Sequence, residues 1–410
     1  MTGRRPPVAL YLHLPFCVSL CPYCDFVVYS GAAARGPGNR VDALVDALLE
    51  EIRLRADLHD AAFGPPGPTR PPLASVYLGG GTPSLVPAGR VGELLDLVER
   101  RFGLASDAEV TLEANPGPDD LGDLAGFRAA GVTRLSLGAQ SLQADELRRL
   151  GRRHTPHDVG RAMRAARTAR LPSVSLDLLY DVPGQTHESW DATLEAALEL
   201  APDHVSAYAL TLDDPDAEGL TGPLGDHLAT RPGARRWRAT AMADQDPDRA
   251  AGMYEHLDDR LAAAGFAWYE LSNFSRPGRQ SRHNLVYWQR RPHEAVGPGA
   301  HAFDGGRERR WNAARLDGYL GALRPADGSA PRLPPGGREE LDDRAVVAEE
   351  AMLGLRLASG LGPDLAASAA VAPTISWGRE MGLVADGPTG HAVLTRRGRL
   401  LSNELFARLV

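Results

Sequence analysis

The sequence predicts an α/β protein: an incomplete parallel (β/α)6 barrel, then a mixed α/β extension, then a small C-terminal helical or winged-helix-like module. Three observations predict it. Six short apolar runs alternate with longer helical patterns over the first half of the chain, as parallel βα units do. Polar and glycine-rich motifs recur where those runs end, the rim on which βα barrels assemble their sites. Beyond residue 213 the alternation stops and stretches rich in Pro and Gly take over.

Strands are expected at 8–14, 74–78, 109–113, 133–137, 173–179 and 204–210. Helices are expected between them at 41–55, 91–101, 121–130, 144–150 continuing with 156–169, and 188–200. Two helix starts carry capping signals: Thr155 precedes Pro156 at a first helical position, and Thr186 precedes His187 and Glu188. Residues 213–247 lack periodicity and read as an irregular crossover. A helix at 248–264 then leads into the apolar stretch 268–274. The Pro-rich stretch 324–337 reads as a linker ahead of an amphipathic helix at 342–356. The expected domains are therefore 1–215 for the barrel, 216–323 for the extension and 338–410 for the terminal module.

Composition narrows the class. With 410 residues, 43% hydrophobic and 24% charged, the chain is an ordinary globular one. A net charge of -8 gives no global attraction to nucleic acid or to an anionic membrane, so neither is an expected partner, even for a winged-helix-like end. No run approaches the roughly eighteen apolar residues that span a bilayer. The N-terminal apolar stretch is interrupted by Pro6, Pro7, His13 and Pro15, and Phe16 stands where signal cleavage wants a small residue. All 45 basic residues are Arg, which removes Lys-dependent chemistry.

Cysteine usage carries the first chemical signal. The three Cys of the chain fall within eight residues, as Cys17-x3-Cys21-x2-Cys24, directly after the first strand. An odd, clustered set is no disulfide framework, so a reducing cytoplasm is expected. Thiolates this close on one loop surround a soft metal centre. A four-iron cluster with three thiolates keeps one iron open. Zinc with a His as fourth ligand and three reduced structural Cys are the competing readings.

Further motifs share the same rim: Gly79-Gly80-Gly81-Thr82-Pro83, Glu113-Ala114-Asn115-Pro116 and Gly138-Ala139-Gln140-Ser141 follow strands two, three and four, and Asp177 lies on strand five. Singly each is a turn. Together, facing the Cys loop, they form a ligand site in which Gly permits close backbone approach and Glu113 and Asp177 hold an amine or hydroxyls.

These motifs resemble the radical S-adenosylmethionine enzymes, specifically the oxygen-independent coproporphyrinogen III oxidase family. The resemblance continues through Leu150-Gly151-Arg152-Arg153-His154, Pro183-Gly184-Gln185-Thr186 and Tyr269-Glu270-Leu271-Ser272-Asn273-Phe274. Two features resemble its haem chaperone branch, HemW: Phe26 stands where the oxidases carry a further Cys, and His283-Asn284-Leu285-Val286-Tyr287-Trp288 matches His-Asn-x-x-Tyr-Trp. The resemblance implies that Cys17, Cys21 and Cys24 bind a [4Fe-4S] cluster and that its open iron chelates S-adenosylmethionine. Gly80, Gly81 and Thr82 would meet the methionine moiety, with Tyr11, Glu113, Gln140, Arg152 and Asp177 lining its polar parts. Ser175-Leu176-Asp177 and Asp181-Val182-Pro183 depart from the family's Asn-x-Asp and Gly-Leu-Pro.

The resemblance further implies haem as a bound group. His283, flanked by Arg282, Tyr287 and Trp288, is the first candidate axial ligand and His301, in Gly297-Pro298-Gly299-Ala300-His301, the second. Two function classes share the cluster. One is a chaperone that binds haem and delivers it to a haem-accepting protein such as a membrane respiratory enzyme. The other is an oxidase that cleaves S-adenosylmethionine to decarboxylate two propionates of coproporphyrinogen III.

Overall fold

Six parallel strands form where the apolar runs place them. In the computed structural model, which describes residues 3–31, 40–212 and 215–410, these are β1 (Ala9–Leu14), β2 (Leu73–Gly80), β3 (Leu104–Ala114), β4 (Arg134–Gln140), β5 (Ser173–Tyr180) and β6 (His204–Ala209). They pair in that order, each parallel to the next. The helices between them are α1 (Val41–Phe63), α2 (Ala88–Phe102), α3 (Leu124–Ala129), the pair α4 (Ala144–Arg149) and α5 (Pro156–Thr168), and α6 (His187–Glu199).

The packing follows from the sequence pattern. Leu10, Leu12, Val76 and Leu78 of the strands and Leu44, Leu48 and Ile52 of α1 are fully buried in one core. Each such side chain contributes about 2 kcal/mol by leaving water. Both predicted caps form as capping boxes: Thr155 with Asp158, and Thr186 with Ser189, each worth about 1 kcal/mol. Helix α3 starts later than the expected residue 121 because Gly122 takes φ +71 and Asp123 caps the helix by accepting from Gly126 N at 2.9 Å.

The segment 215–247 corrects the expectation of an irregular crossover: it contains α7 (Pro232–Asp244), followed at once by α8 (Pro247–Ala263). Residues 213 and 214 of that expected crossover lie outside the described residues. Helix α7 buries only Arg238 and Ala241, so it has no apolar stripe to betray it.

The extension is hydrogen-bonded into the barrel sheet rather than packed against it. Strands β7 (Ala267–Glu270) and β8 (Asn273–Ser275) form a hairpin whose β8 adds antiparallel to β6. After α9 (Arg282–Trp288), β9 (His293–Val296) adds parallel to β1, and β10 (His301–Phe303), β11 (Glu308–Asn312) and β12 (Gly336–Glu340) continue antiparallel. The twelve-stranded order is β12-β11-β10-β9-β1-β2-β3-β4-β5-β6-β8-β7. The expected linker thus ends in a strand, since Gly336 and Gly337 belong to β12. Glu51 of α1 locks this edge. Fully buried, it accepts from Asn312 Nδ2 at 2.8 Å, Gly297 N at 2.9 Å and the hydroxyl of Tyr319, on α10 (Leu316–Leu323), at 2.7 Å, and pairs with Arg55.

The C-terminal module comprises α11 (Asp343–Arg356), α12 (Pro363–Ala366), α13 (Ala372–Glu380), the hairpin β13 (Val384–Asp386) and β14 (Ala392–Leu394), α14 (Arg396–Leu400) and α15 (Ser402–Phe406). It has its own core, including Ala351, Leu355, Ile375 and Leu405. Arg399 docks it, making a bidentate pair with Asp258 at 3.0 and 2.6 Å and lying over the Trp268 ring. No helix among the described residues is long and apolar enough to cross a membrane.

Candidate functional site

The three Cys sit on a loop fastened at its base. Cys17 N donates to Tyr29 O at 2.9 Å and Tyr29 N to Pro15 O at 2.6 Å, while Gly81 N and Thr82 N reach Leu14 O and Phe16 O at 2.9 and 2.7 Å. Gly81 is required for that approach: a Cβ there would lie 2.7 Å from Phe16 O and 2.8 Å from the Pro15 carbonyl carbon. A further fastening comes from α7, whose Arg238 donates to Pro22 O at 3.1 Å and Cys24 O at 3.0 Å and pairs with Asp25.

Cys17, Cys21 and Cys24 line a cavity of about 430 Å³ together with Gly80, Gly81, Glu113, Gln140, Arg152 and Asp177. Nine of the expected site residues thus line one cavity. The register explains it: Glu113 lies opposite Ser136, Gly138 opposite Asp177, and Asp177 opposite Ser206, so alternate side chains of successive strands enter the same space.

Burial dominates the electrostatics. It pushes the Cys17 thiol up to about 11, against a hydrogen bond from the Thr82 hydroxyl at 3.4 Å, and it raises Cys24 further. Burial also lifts Glu113 to about 7, although Tyr77 OH and Gly80 N donate to it at 2.7 and 2.9 Å, and Asp177 to about 6 although the Ser136 hydroxyl, 3.0 and 3.1 Å from its two oxygens, donates to the carboxylate. Burial makes these groups costly to ionise, and a cation entering the cavity would offset that cost. Arg152 connects the walls, donating to Cys21 Sγ at 3.4 Å, Gly138 O at 2.8 Å and the Asn115 side chain. Gln140 is held at φ +64, and its Oε1 is buried without a hydrogen-bond partner, a strained, unsatisfied polar group of the kind found where ligands bind.

Other expected residues stand elsewhere. Thr82 bonds Cys17 and accepts from Asn115 Nδ2 at 2.8 Å, so it positions the wall. Tyr11 lies behind Tyr77, ring centroids 6.1 Å apart, with its hydroxyl on His13 Nδ1 at 2.9 Å. His283 does not reach the cavity. It is fully buried, with Nδ1 on Ser75 Oγ at 2.9 Å and Nε2 on Tyr287 OH at 2.8 Å, and burial lowers it to about 3. Trp288 of the same motif carries Arg356 of the C-terminal module over its ring. His301 is half exposed, with Nε2 2.9 Å from Asp226 and its ring stacked on Trp311. Sequence reasoning missed Tyr77, Asn115 and Arg238. The period-two alternation of β2 and β3 was the available signal for Tyr77, and Asn115 lay inside a noted motif.

The sequence pattern of the Radical SAM superfamily matches residues 11–197. The chain is similar to the heme chaperone HemW of Mycobacterium tuberculosis, 39% identical over 98% of this chain and 95% of that one, and to that of Escherichia coli, 35% identical over 73% and 70%. Among solved structures it resembles the coproporphyrinogen III oxidase HemN of Escherichia coli, a radical SAM enzyme, with a TM-score of 0.77 over 99% of this chain and 90% of that one at 22% identity. That likeness shows the shared fold.

Proposed function

The chain belongs to the haem chaperone HemW family, and from that premise we propose that it binds haem and delivers it to a haem-accepting protein, using a barrel that holds a [4Fe-4S] cluster and S-adenosylmethionine. The observation that carries the cluster and S-adenosylmethionine is the single cavity shared by three thiols and two half-buried carboxyl groups. Cys17, Cys21 and Cys24 share that cavity.

When bound, the cluster supplies one-electron reduction of the sulfonium. The chain's own residues do the rest. Glu113 and Asp177, costly to ionise in the empty cavity, favour a ligand carrying an amine and a sulfonium. Gln140 offers an unsatisfied Oε1 to a donor, and Gly80 and Gly81 border the same cavity. Arg152 places a permanent positive charge against Cys21 Sγ, at 3.4 Å. Phe26, in place of a further Cys, favours delivery over oxidative decarboxylation. The acceptor is a haemoprotein, with a membrane respiratory enzyme as the first to try and the cytoplasm as the compartment.

The test is anaerobic reconstitution followed by ferric haem titration and transfer to an apo-haemoprotein. About four irons per chain, with strong loss in Cys21→Ser, and haem uptake followed by transfer are expected. Conversion of coproporphyrinogen III to protoporphyrinogen IX, with no haem uptake, would overturn the chaperone reading in favour of the oxidase.

A further inference from the structure

We propose that the floor of the thiol cavity is a carboxylate subsite built on Arg134, which anchors a carboxylate-bearing ligand beneath S-adenosylmethionine; this rests on the reading of the cavity's rim as the S-adenosylmethionine site. The alternation of β4 puts the guanidinium there. Arg134, Ser136 and Gly138 share one face of the strand, and all three line the cavity. Ser136 stands opposite Glu113, so Arg134 enters from one layer deeper in the barrel.

Arg134 is only 3% exposed, and its charge has no local answer. Among the described residues its side chain makes no ion pair and no hydrogen bond, and its Nε is buried without a partner. Arg152 of the same cavity is, by contrast, engaged with Cys21 Sγ, Gly138 O and the Asn115 side chain. The two carboxyl groups nearby are directed elsewhere. Asp177 takes the Ser136 hydroxyl, and Glu113 takes Tyr77 OH and Gly80 N, so the field of Arg134 reaches both only from beyond ion-pair distance. A guanidinium keeps its charge in a protein interior, and a buried charge without a partner is strongly destabilising. A carboxylate matches its planar fork with two parallel hydrogen bonds and neutralises it.

The rest of the floor is fixed in place around that charge. His204 is held between Ser175 Oγ and Tyr269 OH, each at 2.8 Å, so neither ring nitrogen is open to a ligand. Asn273, from the 269–274 stretch, stands opposite Ser206 of β6, and its Oδ1 is buried without a hydrogen-bond partner. Two unsatisfied polar groups, on β4 and β8, thus belong to one cavity. Buried polar groups are normally paired, and those that are not mark places where a ligand completes them. Arg134 calls for an anion, and Asn273 Oδ1 accepts from a donor on the same ligand.

The experiment titrates sodium propionate into the cluster-loaded chain by calorimetry, with propionamide as the neutral isostere, in the presence and absence of S-adenosylmethionine. Wild type is expected to bind propionate at least roughly tenfold more tightly than propionamide, and to do so with S-adenosylmethionine bound. Arg134→Gln should lose that preference and Arg134→Lys should keep most of it, with cluster iron content and Tm showing that both variants fold. Equal affinity for propionate and propionamide in wild type would overturn the subsite whatever the variants do, leaving the guanidinium to water. Propionate affinity unchanged in Arg134→Gln would overturn it as well. Displacement of propionate by S-adenosylmethionine would assign Arg134 to that ligand's own carboxylate and overturn the subsite while the reading of the rim stands. No S-adenosylmethionine binding by wild type would overturn the reading of the rim, and the placement beneath it with it.

Discussion

Arg238 donates from Nη2 to the backbone oxygen of Cys24 at 3.0 Å, joining a helix hidden from sequence reading to the last thiol of the cluster loop. The same guanidinium reaches Pro22 O and the Asp25 carboxylate, and its side chain is 8% exposed. Arg238→Met keeps the stem but removes every donor, at a cost of about 2 kcal/mol. The expected outcome is a folded chain that loses iron faster than wild type after reconstitution. Equal iron retention, measured as iron per chain over time, would show that the other fastenings suffice.

Gly81→Ala tests the opposite side of the loop. The new methyl would sit 2.7 Å from Phe16 O and 2.8 Å from the Pro15 carbonyl carbon, both backbone atoms that cannot swing away. The loop must shift, at roughly 1–3 kcal/mol, and the thiols with it. Iron content after reconstitution should fall well below that of wild type, whereas Gly89→Ala, where nothing lies within 4 Å, should leave it unchanged.

The parts of the fold legible in the sequence are those coded by one local pattern. Buried parallel strands read as continuous apolar runs, so all six core strands fall within a few residues of their expected places. The rim was legible because glycine turns and acidic residues recur at equivalent strand ends. Helix α7 was not, because a helix that buries an Arg and an Ala shows no period. Nor was the fate of His283, whose partner Ser75 lies 208 residues away in sequence and adjacent only after the extension has folded against β2. Residue chemistry identified His283 as a competent ligand; long-range packing occupied both its nitrogens.

Glu113 should give the ligand-free chain a distinct pH signature. Burial raises its carboxyl from 4.5 to about 7. Below pH 4.5 the group is neutral in both folded and unfolded chains and exacts nothing. As pH rises through about 7 the unfolded chain has already released the proton while the folded one must ionise a buried group, a loss of about 3 kcal/mol. Glu113→Gln removes this titration, so the Tm difference, variant minus wild type, should grow between pH 4.5 and 7 and level off above. A constant difference across that range would show that Glu113 is ionised at neutral pH.

His283→Ala should act on stability rather than on haem. The substitution empties a fully buried site and leaves Ser75 Oγ and Tyr287 OH without their partner, together worth about 3 kcal/mol. The sign of its pH dependence is opposite to that of Glu113. A His lowered by burial to about 3 is neutral when folded, so its stabilisation is present above pH 6.5 and is lost as pH falls towards 3. The Tm gap between wild type and variant should therefore be widest at neutral pH and narrow on acidification. At a temperature where both are folded, ferric haem should bind the variant as it binds wild type. A variant of unchanged Tm that has lost haem would return the iron to His283, and the buried hydrogen bonds to Ser75 and Tyr287 would then have to open for binding.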